Sequence, residues 1–96
     1  MPHYLVEYRE LGNPAGREAL RGDHIAYRKG FGTAMPLTGP LLGDDDQPVG
    51  SVVIIEAADA TEAASLANGD PYVAAGVVEL VSVRRYRIAA MKPPQA

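Results

Sequence analysis

Tyr, Leu and Val alternate loosely with charged residues through Tyr4-Leu5-Val6-Glu7-Tyr8-Arg9, which predicts a first strand. Asn13-Pro14 then supplies a capping side chain followed by the residue best suited to the first helical position. The spacing predicts a helix over residues 14–29 that stops near Gly30 and Gly32. Its internal glycines, Gly16 and Gly22, each cost about 1 kcal/mol relative to Ala, so tertiary packing has to supply the difference. Residues 34–42 read as a second strand, but Pro36 and Pro40 have no ladder donor, which places that strand at a sheet edge.

After the polar connection Gly43-Asp44-Asp45-Asp46-Gln47-Pro48, residues 50–57 form the clearest strand, with Val52, Val53, Ile54 and Ile55 in succession. Asp59 and Glu62 have capping-box spacing for a second helix through Asn68, which Asn68-Gly69 ends. Asp70 precedes Pro71 and is therefore held out of the right-handed helical region, at the entrance to one short helical turn. Residues 77–88 make the last strand. The order strand, helix, strand, strand, helix, strand implies an α+β, ferredoxin-like βαββαβ domain, a four-stranded antiparallel sheet with both helices on one face. We expect a single domain over residues 1–90 and a flexible tail over residues 91–96, where Pro93-Pro94 lies.

The last two strands do not alternate cleanly. Val52 to Ile55, and Val77, Val78, Leu80, Val81 and Val83, put apolar groups on both sheet faces. A lone chain would expose a sizeable apolar surface, so we expect a homodimer through the open sheet face. The chain has 96 residues, no cysteine and a net charge of −3. Disulfides and thiolate metal sites are thereby excluded, and general affinity for nucleic acid is disfavoured despite Arg84, Arg85 and Arg87. With no apolar run near the roughly 20 residues of a membrane span, and no leader pattern, a cytoplasmic setting is expected.

Few groups in the chain can do chemistry, and His24 with Asp70 is the best candidate pair. On a helical wheel Leu20, His24, Tyr27 and Phe31 form one stripe, with Arg17, Arg21 and Arg28 just to the other side of His24. A histidine at that border can exchange protons near neutral pH, and the arginines favour an anionic ligand; the same positions also fit a boundary histidine beside a solvated basic face. Asp70 can cap the turn that follows with one oxygen and orient His24 with the other. Tyr8, Tyr27 and Tyr72 are candidates to bond a ring substituent, or to pack. The Asp44-Asp45-Asp46 triplet lacks the ligand spacing of a calcium loop and reads as a solvated hairpin tip. We expect no metal and no cofactor.

The chain resembles the YCII (YciI-like) superfamily of dimeric α+β barrels. The resemblance rests on the first strand, Asp23-His24, Gly39-Pro40-Leu41-Leu42, Pro48-Val49-Gly50-Ser51, Asn68-Gly69-Asp70-Pro71-Tyr72, Ala75-Gly76-Val77 and Val81-Ser82-Val83-Arg84. It implies a cavity between sheet and helices and a His–Asp pair at His24 and Asp70. Some members of the superfamily act on small hydroxylated rings, and related barrels include isomerases and cofactor-free monooxygenases. The expectation is a small homodimeric enzyme in which His24 and Asp70 move protons on a phenolic or anionic molecule, by elimination or isomerisation. Arg17, Arg28, Tyr8, Tyr27 and Tyr72 would bind it. The alternatives are a non-catalytic metabolite-binding module using the same cavity and a cofactor-free oxygenase.

Overall fold

Even-numbered side chains of the first strand, Tyr4, Val6 and Tyr8, are buried on one face of the sheet, where they meet Val53 and Ile55. A computed structural model describes residues 1–93 and gives the order β1 (His3–Glu10), α1 (Pro14–Lys29), β2 (Leu37–Leu42), β3 (Pro48–Glu56), α2 (Ala60–Asn68), α3 (Pro71–Ala74) and β4 (Val78–Tyr86). The four strands form one antiparallel sheet in the order β2-β3-β1-β4. This is the expected ferredoxin-like arrangement, with β2 at an edge. Of the tail expected at residues 91–96, residues 94–96 lie outside the described residues.

The helix signals act as written. Asn13 accepts a bond from the Gly16 N–H at 3.0 Å, and its amide donates to the Ala75 carbonyl at 3.2 Å. One side chain thus caps α1 and ties its start to the loop before β4. At α2, Asp59 accepts from the Glu62 N–H while the Glu62 carboxylate accepts from the Ala58 N–H, a reciprocal cap displaced by one residue. Ala63 and Ala67 bring α2 close to the sheet, and Tyr72 of α3 joins the same core.

Several strand boundaries differ from the sequence reading. β2 begins at Leu37, because Gly32–Ala34 takes a tight 3-10 turn closed by the Ala34 N–H to Phe31 and the Met35 N–H to Gly32. β3 begins two residues early, at Pro48, which pairs with Leu42. β4 starts at Val78 and ends at Tyr86. Val77 spends its N–H on Tyr72 and its carbonyl on Leu11, and beyond Tyr86 the partner strand has run out at His3.

α1 has no fully buried residue. It rests on the sheet through half-buried side chains such as Leu20, and beside it, toward β2 and β3, the sheet is left uncovered. On the opposite face Leu5, Val52 and Ile54 alternate with the core residues, and Leu37 and Leu41 stay 48% and 37% exposed.

Gly50 is where backbone closeness is absolute. A Cβ there would lie 2.3 Å from the Tyr8 carbonyl oxygen of the paired strand. Gly50→Ala is expected to cost about 2 kcal/mol of stability, the scale of an overpacked site, read as a lower urea midpoint at unchanged slope.

Candidate functional site

The chain after α2 turns at Gly69 and enters α3 through Asp70, whose φ of −62° and ψ of 125° are the extended values that a following proline demands. The Asp70 carboxylate is 1% exposed. Its Oδ1 accepts the Tyr72 N–H at 3.0 Å and so caps α3. His24 reaches it from α1, with Nδ1 at 2.8 Å from Oδ2 and 2.9 Å from Oδ1. Arg28, one helical turn further along the same face of α1, donates from Nε to Oδ2 at 3.1 Å. An ionised carboxylate only accepts hydrogen bonds, so a neutral imidazole bonded to one carries its proton on Nδ1, and Nε2 is then the ring nitrogen without a proton.

The His24 ring stacks on Tyr72, with centroids 3.9 Å apart and planes 7° from parallel. The Tyr72 hydroxyl donates to the Arg17 carbonyl at 3.2 Å, and the Arg17 guanidinium lies over the Tyr72 ring. Arg17 in turn pairs with Glu10 at the end of β1. Arg28 Nη1 donates to Thr38 Oγ1 at 3.0 Å, which joins α1 to the edge strand.

These side chains border a cleft of about 350 Å³ between α1 and the β2–β3 end of the sheet. Arg17, His24 and Arg28 form its α1 wall, and Thr38 and Pro40 of β2 with Pro48 and Ser51 of β3 form the opposite one. Glu10, Tyr72 and Val78 also line it. Rigid prolines and apolar surface with a few convergent polar groups are the usual make-up of a small-molecule site, and this volume suits a ligand of one ring.

His24, Asp70, Arg17, Arg28 and Tyr72 are thus brought together. Tyr8 and Tyr27 are placed differently. The Tyr8 hydroxyl donates to the Ala67 carbonyl at 2.8 Å, and that of Tyr27 donates to the Leu66 carbonyl at 2.7 Å. Both rings line a small void behind Arg28 and Asp70 and do not line the cleft. Burial pushes the Tyr8 phenol well above its ordinary range; Arg28 opposes that rise and Asp70 adds to it. Tyr27 is also raised, first by burial and then by Asp70. Sequence reasoning missed Glu10, Thr38 and Ser51. Glu10 continues the even-numbered alternation of Tyr4, Val6 and Tyr8, a signal that was present; Thr38 and Ser51 reach the cleft through strand register, which one strand's pattern does not encode. Among the described residues, no cluster of three or more His, Asp or Glu side chains could hold a metal, and no helix is long and apolar enough to cross a membrane.

The family model for the YCII-related domain matches residues 1–87. The chain belongs to the YCII family. Among solved structures it is similar to the 5-chloro-2-hydroxyhydroquinone dehydrochlorinase of Burkholderia phenoliruptrix AC1100, a structure that holds 2,5-dihydroxybenzoquinone. The two are 26% identical with a TM-score of 0.67, over 91% of this chain and 92% of the other. No curated protein matches the chain.

The raised tyrosines give a pH dependence of defined sign. A phenol that holds its proton more tightly when folded contributes stability that is complete below the unfolded value near 10 and is lost as the pH rises above it. Stability is therefore expected to fall above about pH 10, and Tyr8→Phe should flatten that fall while costing about 1 kcal/mol at neutral pH. Urea midpoints at neutral and alkaline pH, with tyrosinate absorbance as the second probe, check both.

Proposed function

We propose that the chain is a cofactor-independent enzyme that moves protons on a small hydroxylated ring, with His24 as general base and acid. The contact between His24 Nδ1 and the buried Asp70 carboxylate, 2.8 Å long at the wall of a cleft of about 350 Å³, carries this reading. Asp70 orients the imidazole and holds its proton on Nδ1, so Nε2 is free to take a proton from a hydroxyl of the ligand. The similarity to a dehydrochlorinase of a hydroxyhydroquinone supports a phenolic substrate and an elimination.

For a halogenated hydroquinone the steps balance without an oxidant. Nε2 accepts a hydroxyl proton, and the ring electrons take up a proton at the halogen-bearing carbon to give a keto tautomer. Removal of a second hydroxyl proton then expels halide and leaves a quinone. The net loss is one proton and one halide ion. An isomerisation would use the first half of the same sequence. Arg17, Arg28 and Tyr72 bound the ligand, while Tyr8 and Tyr27 brace Arg28 and Asp70 from behind.

The open sheet face, with Leu37, Leu41 and Val81 exposed, is the surface through which we propose that two copies associate. A cysteine-free chain needs no oxidising compartment, and we propose a cytoplasmic setting.

The direct test is anaerobic incubation with 5-chloro-2-hydroxyhydroquinone, following chloride release. His24→Ala is expected to lower kcat by roughly 10²- to 10⁴-fold with the fold intact, as for loss of a general base. A probe that binds and is recovered unchanged in the wild type would favour a metabolite-binding module instead. In sedimentation equilibrium the wild type should have twice the mass of one chain, and Leu37→Lys combined with Leu41→Lys should give the monomer.

A further inference from the structure

A buried carboxylate needs a countercharge, and the Asp70 site contains two groups able to supply it. One is His24, if its ring is protonated to imidazolium. The other is Arg28, which is charged at every pH a protein meets. The choice decides the chemistry, because an imidazolium has no lone pair with which to accept a proton.

The geometry points to Arg28. We propose that it is a positioning residue whose guanidinium balances Asp70 and so leaves His24 a neutral base with a bare Nε2. This inference rests on the proposed role of His24 and names the group that keeps His24 in its working form.

Arg28 is held as a fixed charge. Its Nε is 3.1 Å from Asp70 Oδ2, its Nη1 is 3.0 Å from Thr38 Oγ1, and its guanidinium lies 5.4 Å from the centroid of the Tyr8 ring. Its side chain is as enclosed as that of His24, both being 16% exposed. The two reach the carboxylate in parallel: Oδ2 takes both Arg28 Nε and His24 Nδ1. A cation sharing that oxygen offsets the field that would otherwise draw a second proton onto the imidazole.

The remaining groups around His24 do not take over this task. Arg17 of α1 and Glu10 of β1 pair with each other across the cleft lining. Tyr72 of α3 stacks on the ring and spends its hydroxyl on the Arg17 carbonyl. Tyr8 of β1 is a neutral phenol bonded to Ala67, and β2 and β3 contribute Thr38 and Ser51, which carry no charge. Arg28 is therefore the cation bonded directly to Asp70.

The test is a titration of the imidazoles by proton–nitrogen correlation spectra on the ligand-free protein, with His3→Gln to assign the two histidines. Arg28→Met removes the guanidinium, Arg28→Gln keeps a donor without the charge, and Arg28→Lys keeps the charge without the fork. His24 should titrate about one pH unit higher in Arg28→Met and Arg28→Gln than in the wild type, and close to the wild type in Arg28→Lys. In Asp70→Asn it should move the other way. If the Met and Gln variants titrate as the wild type while Asp70→Asn moves down, the inference about Arg28 is overturned and the His24–Asp70 pair stands. If His24 titrates identically in Asp70→Asn as well, the pair itself is rejected, and the proposed base with it.

Discussion

The carboxylate of Asp70 is the point on which the site turns. Leaving an ionised group this deep without partners costs several kcal/mol, so its neighbours are chosen for it. It receives the first N–H of α3, the imidazole of His24 and the guanidinium of Arg28. Through those three bonds it fixes the start of one helix, the lie of another and, by way of Thr38, the edge strand. One buried carboxylate therefore caps a helix and bonds the imidazole and the guanidinium of another. The proline after it supplies the backbone angle that lets both happen at once.

Electrostatic balance runs through the rest of the cleft. Both arginines at its wall are matched by carboxylates, Arg17 by Glu10 and Arg28 by Asp70. A cleft balanced in this way attracts a molecule mainly by shape and hydrogen bonding, since long-range charge steering needs an unpaired field. That suits a ring carrying hydroxyl groups, which offers donors and acceptors in a plane and only gives up a proton once it has a base beside it.

The element order was legible because its signals are local. Asn13-Pro14, the Asp59 and Glu62 pair and Asp70-Pro71 each act within a few residues, and each starts the helix that its spacing announces. The strand ends were less legible because a strand stops where its partner stops: Tyr86 ends β4 on account of His3, more than eighty residues away in sequence. The site divides along the same line. His24 and Arg28 share a helix face by arithmetic, and Asp70 is flagged by its proline. Tyr8 and Tyr27, by contrast, turn their hydroxyls to carbonyls of α2, and Thr38 and Ser51 meet the cleft through register. None of those partners is written near the residue that uses it.

The shallow seating of α1 has a consequence for when the site exists at all. Cooperative units of a fold open at free energies that follow how much they bury, and α1 buries no residue fully while the sheet and α2 hold the core. Detaching α1 costs less than unfolding the sheet. His24, Arg17 and Arg28 would leave together, whereas Asp70 stays with the α2–α3 corner. His24 and the carboxylate it bonds thus belong to units of different stability, and their arrangement is a docked state of one helix on a more durable scaffold.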